Sequence, residues 1–136
     1  MILENKIREI FENVKTIAIV GLSPNEQKPS FKVASYLKKQ GYKIVPIYPK
    51  EKSILDEKVY RSLSEVPFKI DMVDMFRKAE FADTLVDEIK QRDDIKVLWL
   101  QKGIINDQAC KRAKEFGLEV IQDRCTMIEH KGLYTT

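Results

Sequence analysis

The sequence has no apolar run near the roughly 20 residues that cross a bilayer, and stretches such as Val97-Leu98-Trp99-Leu100 are only four residues long. No membrane span is therefore expected. Charge of one sign is not in excess either. Against 24 basic residues stand 21 acidic ones, a net of +3, and the two signs alternate along the whole chain. That excludes the clustered basic stripe of a nucleic-acid-binding protein. With only two cysteines, Cys110 and Cys125, no disulfide framework can be built, and two free thiols in a reducing compartment are expected. Histidine occurs once, as His130, and no metal site is assigned. The opening Met-Ile-Leu-Glu-Asn-Lys-Ile-Arg-Glu-Ile carries an acid at its fourth residue, which reads against a secretory leader. A cytoplasmic location is expected.

Five short apolar runs remain, each of strand length. They are Ile17-Ala18-Ile19-Val20, Ile44-Val45-Pro46-Ile47, residues 70–76, Val97-Leu98-Trp99-Leu100 and Val120-Ile121. Their spacing of about 22 to 27 residues suits a strand, a helix and a return. Helical periodicity fills the gaps: Val33, Ala34 and Leu37; Leu85, Val86 and Ile89; Ala109, Cys110 and Ala113. Gly41 and Gly117 read as helix stops and Asn106 as an N-cap. Leu3, Ile7, Ile10, Phe11 and Val14 outline an opening helix. Alternation of this kind predicts one α/β domain over 1–136: a doubly wound, parallel five-stranded sheet between two helical layers. Pro46 cannot donate to a ladder, so it is expected at the very end of the second strand, where pairing stops.

In such sheets a ligand sits outside the carboxyl ends of the strands, where strand order reverses. A cation follows every predicted strand: Lys28 in the first loop, then Lys50, Arg77, Lys102 and Arg124. Lys15, Lys43, Lys69 and Lys96 precede four of the strands, so lysines at the edges carry little information. Arg77 and Arg124 carry more, because a guanidinium fork matches phosphate oxygens. Gly21 permits a tight turn, and Ser30 is expected to N-cap the following helix, whose first amides would hold a phosphate. The dinucleotide fingerprint G-x-G-x-x-G is absent. Plain NAD is further disfavoured because Tyr48-Pro49-Lys50 ends the second strand with a cation where an NAD site places an acid.

At these residues the chain resembles the small bacterial CoA-binding proteins, free-standing relatives of the CoA-binding domain of the succinyl-CoA synthetase α subunit. The resemblance is carried by Val20-Gly21-Leu22-Ser23-Pro24, Pro29-Ser30, residues 42–50 and Asp74-Met75-Phe76-Arg77. Trp99-Leu100-Gln101-Lys102-Gly103-Ile104, Asp123-Arg124-Cys125 and Glu129-His130 complete it. It implies a Rossmann-like fold with coenzyme A across the carboxyl edge. Gly21, Leu22 and Ser23 would face the pyrophosphate, and Lys50 the phosphorylated ribose. Phe76 and Arg77 would line the adenosine side, and Gln101, Lys102 and Gly103 the pantetheine arm. The chain departs from the family at Tyr48 and Lys28, where relatives carry Asn and Arg.

The resemblance implies a small-molecule ligand, CoA or acyl-CoA, and binding without evident catalysis. Two alternatives are an NADP-dependent redox protein and a thiol-regulated protein forming a mixed CoA disulfide at Cys125. No catalytic residue is assigned. His130 is expected at the surface or as a cap, and Cys125 as a buried structural thiol. Asp71 and Asp74, three apart on one strand, would point to opposite faces and make no acid–base pair. Asp74 is expected to accept backbone N–H groups. Trp99 and Phe76 are expected in the core, with stacking on a ligand left open for Phe76 by its place at a strand end.

Overall fold

The structure, a computed structural model, describes residues 2–134. The chain runs α1 (Ile2–Asn13), β1 (Thr16–Val20), α2 (Pro29–Lys39) and β2 (Lys43–Ile47). A small hairpin follows, β3 (Ser53–Ile54) and β4 (Glu57–Lys58), and then a 3-10 turn at Leu63–Glu65. The remainder is β5 (Met72–Met75), α3 (Phe81–Lys90), β6 (Val97–Leu100), α4 (Asp107–Glu115), β7 (Glu119–Ile121) and α5 (Thr126–Tyr134). Strands β2, β1, β5, β6 and β7 form a sheet in that order, with every pair parallel. The doubly wound five-stranded sheet expected from the alternation is the observed fold. Strand order reverses between β1 and β5, which fixes where a ligand crevice opens.

Burial on both faces explains why the strands read as unbroken apolar runs. In β1, Ile17 and Ile19 face one helical layer while Ala18 and Val20 face the other. All four are at least 98% buried, each contributing on the order of 1–3 kcal/mol by leaving water. The layer over Ile17 and Ile19 is α1, α2 and α5; that over Ala18 and Val20 is α3, α4 and the 3-10 turn. Asn106 caps α4, its Oδ1 accepting from the Ala109 amide at 3.0 Å. Gly41 and Gly117 follow α2 and α4 at φ +102° and +100°, a conformation open to glycine at little cost.

Three expectations are corrected. Pro46 lies inside β2, opposite Ile19, and Ile47 still pairs after it. The strand tolerates it because β2 is an edge and residues 43 and 47 bond inward, Lys43 N–H to Lys15 O and Ile47 O from Gly21 N–H. Pro46 therefore presents its missing donor outward, where its carbonyl accepts from Tyr60 N–H. The β3–β4 hairpin and α5 are additional elements. The hairpin turns on Leu55 and Asp56 at φ 55° and 60° without the Asn-Gly signal that announces such turns. Third, His130 is a core residue. The residue is 6% exposed, its ring edge-on to Phe11 and Tyr42, and its Nδ1 lies 2.7 Å from the Tyr36 hydroxyl. Burial holds its pKa below the ordinary value of 6.5.

Candidate functional site

The loop leaving β1 is built for close approach. Gly21 has φ +86°, and its N–H donates to Ile47 O at 2.9 Å. A Cβ there would stand 2.9 Å from Phe76 O and 3.0 Å from Arg77 Cδ. Only glycine meets both demands. Leu22, fully buried, pins the loop to the core, so its side chain lies beneath the site. Ser23 N–H donates to Ser30 Oγ at 3.0 Å, and Ser23 Oγ accepts from Asn25 N–H at 3.1 Å. The expected capping role of Ser30 is thereby corrected. Lys28 occupies the cap position in an extended conformation without a side-chain cap, and Pro29 takes the first turn, where its missing N–H costs nothing. Ser30, already helical and buried, ties the loop to α2 instead.

Around this loop opens a cleft of about 540 Å³. The β1 loop and α2 supply Gly21, Ser23, Lys28, Pro29, Ser30 and Val33; β5 and β6 lead into Phe76, Gln101, Lys102 and Ile104; α5 and its approach give Cys125 and Ile128. On the other side of the sheet a smaller cavity of about 80 Å³ is walled by Tyr48, Pro49, Arg61, Ser62, Arg77 and Phe81, among others. Arg77 folds over Gly21 with its guanidinium 4.4 Å from the Phe81 ring centre. Among the described residues no carboxylate lies within ion-pair distance of Arg77, Lys28, Lys50 or Lys102. Arg61 donates to the carbonyls of Tyr48 at 3.0 Å and Lys50 at 2.8 Å, bracing the turn after β2.

Beneath the cleft lies a buried polar cluster. Asp74 is wholly buried; its Oδ1 accepts from Gln101 Nε2 at 2.7 Å and its Oδ2 from the Thr126 hydroxyl at 2.9 Å. Gln101 Nε2 also donates to Thr126 Oγ1 at 2.8 Å. Burial pushes the Asp74 carboxyl up to about 7, outweighing the two hydrogen bonds that lower it. Its partners are side chains, which corrects the expectation of backbone donors. Asp71 takes that part, accepting from Lys15 and Thr16 N–H, each at 2.9 Å. Donating to both Asp74 Oδ1 and Thr126 Oγ1, Gln101 turns its NH₂ inward. Its Oε1 has no partner among the described residues and is not sealed from solvent. An acceptor is thus offered to the cleft.

The remaining expected residues divide. Gly21, Ser23, Lys28, Ser30, Phe76, Gln101 and Lys102 come together on the cleft, and Arg77 on the adjoining cavity. Phe76 is half-buried at the rim, while Trp99 is core, its indole N–H donating to Arg124 O at 2.8 Å. Lys50 is exposed and lines neither space. Gly103 lies next to the lining, its N–H held by Asp123 Oδ1 at 2.7 Å. Arg124 pairs with Glu129 at 3.3 Å and faces a groove between α1 and α5. Cys125 is half-buried on the cleft wall, not the sealed thiol expected; Cys110 is the buried one. Sequence reasoning missed Arg61, Val33 and Ile128 as lining residues. For Ile128 the signal was faint: an isoleucine in a segment with no strong apolar face. Among the described residues no cluster of three or more His, Cys, Asp or Glu is placed to hold a metal ion, and no helix is long and apolar enough to cross a membrane.

Comparison with known proteins bears on what such a cleft takes. The sequence model of the CoA binding domain matches residues 15–131. The Bacillus subtilis protein YneT is 35% identical over 125 residues, 92% of each chain. A solved structure of a hypothetical protein from Pyrococcus horikoshii is 38% identical and superposes with a TM-score of 0.90, covering 96% of this chain and 91% of that one. The ADP-forming acetate–CoA ligase II of Archaeoglobus fulgidus is 31% identical over 88 residues, 63% of this chain but 13% of that enzyme. With its parallel sheet, its glycine-built switch-point cleft and a match spanning most of its length, the chain belongs to the CoA-binding domain family.

Proposed function

We propose that the chain binds coenzyme A along the carboxyl edge of the sheet, as a binding protein without chemistry of its own. The observation that carries this reading is the cleft at the β1/β5 reversal. There Gly21, lacking a Cβ, lets the β1 loop close against Phe76 O and Arg77 at the mouth of the cleft, and Lys28 and Arg77 stand nearby without carboxylate partners. The direction proposed is that implied by the family resemblance. The adenosine and its ribose phosphate lie at the β2 end, against Tyr48, Arg61 and Arg77, with Lys50 near. The pyrophosphate meets Ser23, Lys28 and the first turn of α2, where amides and helix dipole favour an anion. The pantetheine arm passes Phe76 and Lys102, and one of its amide N–H groups donates to Gln101 Oε1. Five strands span about 19 Å at roughly 4.8 Å per interval, an edge long enough for a nucleotide joined to an extended arm. Two free thiols suit a reducing cytoplasm.

Calorimetric titration with CoA, dephospho-CoA and NADP tests the reading. CoA is expected to bind, dephospho-CoA about tenfold or more weakly, in line with the loss of one charge-assisted contact of about 1.5–3 kcal/mol. Arg77→Ala should remove most of the difference between them. Absence of CoA binding, or NADP binding as tightly as CoA, overturns it.

A further inference from the structure

We infer that the cleft takes CoA thioesters of aliphatic acids in preference to free CoA, with the acyl chain laid against Val33, Ile104 and Ile128; this rests on the CoA reading above. Sheet order supplies the first step. If the adenosine lies at the β2 end and the pyrophosphate over β1, the arm runs across β5 and β6 and ends beside β7 and α5. The lining changes character in that direction. Near β1 it is Ser23, Lys28 and Ser30; at the far end it is Ile104, Cys125 and Ile128, and Val33 of α2 is also in the lining.

Ile128 is the informative residue. It is 55% exposed, one of only five large apolar side chains exposed among the described residues, and Ile105, next in sequence to the lining residue Ile104, is another at 53%. The same Ile128 forms one wall of the neighbouring groove between α1 and α5, which Leu3, Ile7 and Leu133 line together with Glu4, Arg124 and Glu129. Apolar surface therefore continues from the cleft onto the exposed face of Ile128, and the groove beyond it carries both apolar and charged side chains. A free thiol ending at Cys125 leaves that surface in water. An aliphatic chain on the same sulfur covers it, and burial of apolar area is favourable in proportion to the area covered. No carboxylate lines the cleft itself, where Lys102 is exposed, and Arg124 in the groove beyond Ile128 is already paired with Glu129 at 3.3 Å.

The test is a titration series with CoA, acetyl-CoA, butyryl-CoA, hexanoyl-CoA and succinyl-CoA, on the unaltered protein and on Ile128→Ser. Each methylene covered should tighten binding about threefold to fourfold, so butyryl-CoA is expected to bind roughly tenfold more tightly than acetyl-CoA. The variant should lower the ratio of butyryl-CoA to CoA affinity toward one. The ratio is read within one preparation, so any general loss of stability cancels. Equal affinities across the aliphatic series, or succinyl-CoA as the tightest ligand, overturn the inference and leave CoA binding standing. Failure of every CoA species to bind overturns the parent reading and the inference with it.

Discussion

Replacing Asp74 by Asn should make the protein more stable at alkaline pH and leave it nearly unchanged in acid. The carboxyl is wholly buried, and its pKa rises from 3.8 to about 7 in the fold. The folded state thus holds the proton more tightly than the unfolded chain does. The contribution is whole below pH 3.8 and declines as pH rises toward about 7, above which the fold carries a buried charge. At about 1.4 kcal/mol per pH unit, that window is worth about 4 kcal/mol as an upper bound. Asparagine removes the charge but has one acceptor where the carboxylate has two. Its oxygen can take Gln101 Nε2–H, leaving an NH₂ facing the Thr126 hydroxyl, which then loses the acceptor for its own proton. One lost buried hydrogen bond costs about 1–1.5 kcal/mol. The net expectation is a gain of about 2–3 kcal/mol at pH 8, falling to within about 1 kcal/mol of zero at pH 4. Urea unfolding followed by the fluorescence of Trp99, the single tryptophan, reads both values. His130, whose pKa is lowered by burial, loses stability in the opposite direction, as pH falls below 6.5. It is common to both proteins and cancels in the difference. A difference independent of pH, or a variant less stable at pH 8, would refute the reasoning, since Asp74 would then be ionised and net favourable.

Gly21→Ala should both destabilise the fold and abolish CoA binding. Its positive φ and the 2.9 Å approach to Phe76 O together imply a loss of about 1–3 kcal/mol; a variant with unaltered midpoint and affinity would show that the loop can move aside. Thiol labelling with iodoacetamide should modify Cys125, on the cleft wall, well before Cys110, whose thiol burial pushes up to about 11. The expected rate ratio is roughly tenfold or more, and saturating CoA should slow Cys125 several-fold. Faster labelling of Cys110, or no protection by CoA, contradicts the placement of the ligand beside Cys125.

The sheet and four of the five helices were legible because their signals are local. A strand buried on two faces must be apolar throughout, and Asn106, Gly41 and Gly117 mark helix ends by backbone geometry. The fifth helix was not. Its residues from Thr126 to Tyr134 include Glu129, Lys131 and Gly132, and its buried face rests on Thr126 and His130, polar residues whose partners Asp74 and Tyr36 lie 52 and 94 positions away. Nothing within the segment reveals that pairing. Reading the residues that leave each strand picks out Gly21, Phe76, Gln101 and Lys102, which line the cleft, and Arg77, which lines the smaller cavity. Arg61 escaped because it acts from an irregular stretch behind the hairpin. Lys50 and Arg124 illustrate the converse: a cation at a strand end need not face the crevice, because the chain's next turn decides where its side chain goes.

The ligand's path is tested most directly by mapping backbone amide shifts in the nuclear magnetic resonance spectrum as CoA is added. The largest changes are expected at Gly21, Ser23, Arg77, Lys102 and Cys125, in a track from the β2 end of the sheet to α5. Lys6, Lys69 and Lys96, which line a groove elsewhere on the protein, should stay still. Shifts confined to that second groove, or no shifts at saturating CoA, would contradict the account.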